Sequence, residues 1–193
     1  MKTCTATALI FAYAFLVASC APVFYSKENY PFYDKDFLLD KRALLRTDGF
    51  YVPEAGLDSG GEKLTQAGKY EVYKFYKTGQ ASFVLMDSLQ GNDKYFDAMQ
   101  RQIDKYGNGK REYTLFQGYY RVRNDQIVIQ QVNVTTGNFI YLYGFVENNR
   151  LSIIKRTIDG DGKFLEDSFS NPYRMTYIFS PYARAEEGLT PNW

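Results

Sequence analysis

From Tyr70 onward, apolar and polar positions alternate in short bursts, and the bursts come in pairs separated by turn residues. The run "YEVYKFYKTGQASFVLM" places Thr78-Gly79 at its middle, "LFQGYYRVRNDQIVIQQV" places Asn124-Asp125 there, and "FIYLYGFVENNRLSIIK" places Asn148-Asn149. Asn, Asp and Gly tolerate the positive φ angles of tight turns, so each run reads as a β-hairpin. Register tests that reading. A two-residue loop at Asn124-Asp125 sets Val122 opposite Ile127 and Tyr120 opposite Ile129 on one face, with Arg123–Gln126 and Tyr119–Gln130 on the other. The Asn148-Asn149 hairpin pairs Val146 with Leu151 and Gly144 with Ile153, and sets Glu147 against Arg150 beside the turn. In the first hairpin both faces carry aromatics, and a two-residue loop sets Lys74 beside Phe83, which leaves its inward face undecided.

One segment breaks the alternation. In "NDKYFDAMQRQIDKYG", Phe96, Met99, Ile103 and Tyr106 recur at helical spacing, which predicts one amphipathic helix over about 93–106. Asn92 suits its cap and Gly107 its stop. The helix is expected to cover an open end or edge of the sheet. Further strands are predicted at Arg46–Val52 and Tyr173–Ser180, a short helix at Asp36–Leu45, and an exposed loop at Gly56–Gly61. The pattern predicts a mainly β protein: an antiparallel up-and-down meander of about 8–9 strands forming a small barrel or a curled sheet. It divides the chain into a signal peptide (1–19), a tether (20–45), a β domain (46–182) and a loose tail (183–193).

The N-terminus follows a different rule. After Met1-Lys2-Thr3 comes the uncharged apolar run Ala8–Ala18, long enough for a signal-peptide core and shorter than the roughly 20 residues of a spanning helix. Val17-Ala18-Ser19-Cys20 then resembles the lipobox of bacterial lipoproteins. The resemblance implies a diacylglyceryl group on the Cys20 sulfur, cleavage before Cys20 and acylation of the exposed amine. Each buried methylene contributes about 0.8 kcal/mol, so two or three chains make release from a bilayer negligible. Ala21 after the cysteine matches the enterobacterial sorting pattern for the outer membrane, which places the chain in the envelope of a Gram-negative bacterium. The hairpin cadence of "FQGYYRVRNDQIVI" and "YGFVENNRLSII" is similar to calycin-type barrels of small lipocalin-like lipoproteins. That likeness implies a ligand-holding barrel, although the Gly-x-Trp opening usual in lipocalins is absent and the one tryptophan is Trp193.

Composition narrows function mainly by exclusion. The 193 residues contain no histidine, so neither a Ser-His-Asp nor a Cys-His centre exists, nor a His-ligated metal. The two cysteines, Cys4 and Cys20, leave none for a disulfide within the body. Once Lys2 leaves with the signal peptide, basic and acidic side chains balance, which argues against nucleic acid as a partner. "DGDGK" at Asp159–Lys163 lacks the later ligands of a calcium loop and reads as a turn. The acidic pairs Asp34/Asp36 and Glu166/Asp167 read as solvated surface, since neighbours on a strand point to opposite faces. Asn133-Val134-Thr135 matches a glycosylation acceptor and reads as a strand end. No catalytic residue, metal or cofactor is expected.

The 18 Tyr and 15 Phe remain to be placed. Around Tyr141, Tyr143 and Phe145 the alternate positions Ile140, Leu142 and Val146 are apolar too, so this strand has two apolar sides. Tyr119 and Tyr73 are expected to extend the second side. Burial of that side under the helix and tether is one reading. The other is an aromatic face, Tyr73, Tyr119, Tyr141, Tyr143 and Phe145, that binds a small apolar or sugar-like ligand. An assembly role, with the face presented to another envelope protein, is the alternative to ligand binding.

Overall fold

A computed structural model describes residues 26–54, 69–107, 116–133, 136–147, 149–158, 160–170 and 175–191. The signal peptide, the lipobox with Cys20, the Gly56–Gly61 loop and Trp193 lie outside the described residues.

Eight strands run in strict meander order: β1 (Gly49–Pro53), β2 (Tyr70–Phe75), β3 (Gln80–Met86), β4 (Gln117–Arg123), β5 (Gln126–Asn133), β6 (Asn138–Glu147), β7 (Arg150–Thr157) and β8 (Met175–Pro181). β1 pairs antiparallel with both β2 and β8, so the sheet closes into a barrel. The β4–β5 and β6–β7 registers are the ones the side-chain pattern predicts, Tyr120 opposite Ile129 and Val146 opposite Leu151 among them. Asn124 and Asn149 carry the positive φ angles, 58° and 65°.

The first hairpin differs by one residue. Tyr76 N–H donates to the Gln80 carbonyl (3.0 Å) around a three-residue loop that ends on Gly79 at φ 85°. A glycine in the left-handed region closes such loops without strain. The extra residue moves Lys74 from Phe83 to Ser82 and pairs Tyr73 with Phe83. Glu71, Tyr73 and Phe75 therefore share the lumen face, while Val72, Lys74 and Tyr76 face outward.

Strand alternation sorts the apolar side chains into two layers. Inside stand Tyr51, Tyr73, Phe75, Tyr120, Ile127, Ile129, Leu142, Leu151, Tyr177 and Phe179. An eight-stranded barrel is just wide enough for such side chains to fill it. Outside, Phe50, Val72, Val84, Tyr119, Val128, Tyr141 and Tyr143 form a second layer.

That outer layer is covered by three segments. Helix α1 (Asn92–Gly107) lays Phe96, Met99 and Ile103 over the wall of β1–β3, with Tyr95 edge-on to Phe50 at 5.9 Å. The helix thus covers a wall rather than an end or an edge, because a closed barrel has no edge to protect. The short helix α2 (Arg184–Glu187) buries Ala185, and Leu189 follows it into the same layer, so the expected loose tail is packed. Residues 26–47 form the third segment, a strap. It starts in a 3-10 turn at Lys27–Asn29, crosses the outer wall and then closes the end of the barrel that carries the β2–β3, β4–β5 and β6–β7 turns.

The predicted helix at Asp36–Leu45 is absent; the strap turns there instead. The Asp40 carboxylate accepts the Arg42 N–H (2.8 Å), a local bond that competes with helix formation. Leu39 N–H bonds the Lys77 carbonyl (2.9 Å), Phe37 meets Tyr120 ring to ring at 5.6 Å, and Leu45 is buried. Phe37, Leu39 and Leu45 thereby plug the turn end of the lumen.

Candidate functional site

The expected aromatic face is divided by the barrel wall. Tyr119, Tyr141 and Tyr143 point outward and are only 2%, 2% and 3% exposed. Tyr30 of the strap meets Tyr119 edge-on at 5.0 Å and Phe139 at 5.5 Å, while Phe32 packs on Tyr141 at 5.6 Å. Hydrogen bonds fix this layer. Phe32 N–H donates to Gln130 Oε1 (3.0 Å), and Gln130 Nε2 donates to the Tyr141 hydroxyl (2.9 Å). Arg121 donates to the Pro31 carbonyl (3.2 Å) with its guanidinium 4.6 Å from the Phe32 ring. Tyr143 and Phe145 meet Phe169, at 5.6 and 5.5 Å, in the segment after β7. The strap and this segment, rather than α1, cover the three tyrosines.

Tyr73 alone among the five faces the lumen. It does so because the three-residue loop shifts its strand by one position relative to β3. With it, at the end opposite the β2–β3, β4–β5 and β6–β7 turns, stand polar groups that the sequence reading passed over. The Tyr73 hydroxyl donates to Glu71 Oε2 (2.7 Å) and also meets the Gln131 side chain. Arg156 lies opposite Leu142 in the β6–β7 ladder, hence on the lumen face, and its charge acts on Glu71. Burial pushes the Glu71 carboxyl above its usual range, against the Tyr73 hydrogen bond and the Arg156 charge. Burial also drives the Tyr73 phenol well above its ordinary value, and the Glu71 charge adds to this.

Aromatic rings wall this cluster. Tyr73 meets Tyr177 edge-on at 5.2 Å and Phe83 at 5.7 Å, and Phe83 meets Phe116 at 5.2 Å. A carboxyl, an amide and a guanidinium among rings form the set that recognises hydroxyls and stacks on the faces of small rings. Its signal was present in the sequence. Gln131 interrupts the inward row Ile127-Ile129, and Glu71 continues the row Tyr73-Phe75. Gln131 was legible from the β4–β5 register, whereas Glu71 became so only once the first hairpin's register was known.

A second buried charge sits on the outer face. Lys74 is 1% exposed; its Nζ donates to the Thr47 carbonyl of the strap and to the Phe75 carbonyl (2.9 Å), and lies 4.8 Å from the Tyr76 ring. Burial pulls its pKa down to about 8, while Glu186 and Asp48 hold it up. Tyr76 and Ser82 hydroxyls are 3.1 Å apart beside it. Under α1 and the strap, this lysine clamps one piece of chain to another.

The remaining motifs read plainly. Asp161 accepts the Lys163 N–H (3.1 Å) and pairs with its ammonium (2.7 Å), a self-contained turn with Gly162 at φ 67°. Asp159, Val134 and Thr135 lie outside the described residues. Asp34, Asp36, Glu166 and Asp167 are exposed. Among the described residues, no group of three His, Cys, Asp or Glu side chains is placed to hold a metal, and no helix is long and apolar enough to cross a membrane. No family model, curated protein or solved structure matches this chain.

Proposed function

We propose that this chain is a lipid-anchored envelope protein, held through acylated Cys20 in the outer membrane, whose barrel is a non-catalytic receptor for a small sugar-like ligand. The observation that supports the ligand reading is the ring-walled cluster of Glu71, Tyr73 and Gln131 in the lumen, with the exposed Arg156 on the same face acting on Glu71. A half-buried acid beside an amide and a guanidinium offers both acceptors and donors to a polyol, and the neighbouring rings offer apolar faces. The outer aromatic face has no such part to play, because the chain's own strap occupies it. The same occupancy weighs against the alternative in which that face docks another envelope protein.

The anchor and the ligand are tested separately. Cys20→Ser should move the protein from the membrane to the soluble fraction of its host; retention equal to the unaltered chain rejects the anchor. A panel of neutral mono- and disaccharides, titrated calorimetrically onto the soluble form, should include a binder whose affinity falls several-fold in Arg156→Ala. Arg156 is exposed, so its loss leaves the fold intact. A panel without a binder rejects the sugar-like reading.

A further inference from the structure

We infer that the barrel stands with its polar lumen end toward the bilayer that anchors it, so that Glu71, Tyr73, Gln131 and Arg156 face hydroxyl-bearing lipid head groups. The inference rests on the anchor and the site proposed above, and adds to them a direction and a source of ligand.

The path of the strap carries the argument. Tyr30 packs against Phe139 and Tyr119, and Phe139 is the second residue of β6, at the end of the barrel opposite the β2–β3, β4–β5 and β6–β7 turns. Phe32 sits further along, at the level of Gln130 and Tyr141. Phe37 then lies on Tyr120, and a Cβ on Gly79 of the β2–β3 turn would touch its ring, so the strap has reached the opposite end by that point. The chain therefore arrives at the barrel at the end that holds Glu71 and Arg156, and leaves it at the plugged end.

The chain before the strap is short. Cys20 and Ser26 are six residues apart, a reach of about 20 Å at full extension. Tyr30 to Phe37 descends the outer wall over a similar length. To rest the plugged end on the membrane, the linker would have to run fully stretched down the whole wall, at the entropic cost of ordering every residue in it. With the polar end down, the same six residues need reach across only a short gap, at a smaller ordering cost. Each end also offers an exposed apolar residue for measurement: Ile158, just past β7 at the polar end, is 55% exposed, and Leu38 at the plugged end is 71% exposed.

Those two positions give the test. Once cleavage removes Cys4 and acylation occupies Cys20, Ile158→Cys or Leu38→Cys supplies the single reactive thiol of the mature chain. Each acylated variant, labelled with a small fluorophore, is reconstituted into phosphatidylcholine vesicles doped with a nitroxide-head-group lipid. The label at 158 should be quenched several-fold more than the label at 38. Equal quenching, or stronger quenching at 38, overturns the orientation. Intact mass is read first: a chain without acyl groups overturns the anchor and the orientation together, whereas an acylated chain quenched at 38 overturns the orientation alone. Galactosyl-diacylglycerol added to the vesicles, without nitroxide, should shift the emission of the label at 158, several-fold less when Arg156→Ala is also present. No shift in either protein overturns the head-group ligand.

Discussion

The same eight strands carry two apolar layers, and the layers are built differently. The inner one is made almost entirely by strand residues meeting across the lumen, with Tyr51 edge-on to Phe75 at 5.5 Å and Phe75 edge-on to Tyr120 at 5.2 Å. The outer one is completed by added chain: α1, α2, the strap and the segment after β7. Removing an inner side chain opens a hole that every strand surrounds. Removing an outer one loosens a single cover. The two layers also hold their buried charges differently. Outer Lys74 gives its protons to backbone carbonyls, whereas inner Glu71 is hydrogen-bonded to a tyrosine and lies within the field of an exposed arginine.

The largest predicted effect falls on the lumen. Tyr120→Ala should cost about 3–5 kcal/mol in urea unfolding, because the ring is fully buried and its hydroxyl donates to the Tyr76 carbonyl (2.7 Å). Phe32→Ala should cost less, about 1–3 kcal/mol, since the strap can lift while the barrel stays closed. Hydrogen exchange would then rise in residues 26–34 and stay unchanged in β4–β6. Equal costs, or exchange rising through the whole sheet, would break the distinction between layers.

The charges sharpen it at smaller scale. Burial holds the Lys74 pKa at about 8, below the ordinary lysine value of 10.5. The folded chain thus holds fewer protons than the unfolded chain between these values, and stability rises with pH there. From pH 7.5 to 8.5 this contributes about 0.7 kcal/mol; above about pH 9 unfolded tyrosines begin to ionise while buried ones such as Tyr76 and Tyr120 stay protonated, which works in the opposite direction. Lys74→Met should flatten that slope in denaturant titrations. Glu71 has the opposite sign: its folded pKa is raised, so its contribution is present in acid and is lost as pH rises through the folded value. Glu71→Gln should abolish that smaller acid-side loss. A Glu71→Gln profile superimposable on the wild type would mean that this carboxyl is solvated.

Much of the barrel was legible in the sequence. Alternation and turn residues gave two hairpins in register beside their turns, though a bulge between Tyr143 and Gly144 shifts the β6–β7 ladder beyond them, and a helical stripe gave α1 to within a residue or two. Closure was not legible, because the pairing of β1 with β8 depends on distant residues such as Tyr51 and Phe179, which no local pattern connects. That the tether covers the second aromatic side was one of the two readings, but its path as a strap was not legible, for a related reason. Its apolar residues follow neither period, and Phe32 is held by Gln130, 98 positions away. The candidate site suffered most from one local error. A loop longer by one residue reverses which side chains of its strand point inward, and with it the company that Tyr73 keeps.

The meeting of β1 and β8 carries a consequence for how the chain is made. Synthesis delivers the first strand long before its partner. Until Tyr177 and Phe179 emerge, seven strands present two raw flanks able to recruit a neighbouring molecule. A chain cut short before Met175 would keep those flanks permanently, and its fate would be aggregation or proteolysis rather than a slightly weaker barrel.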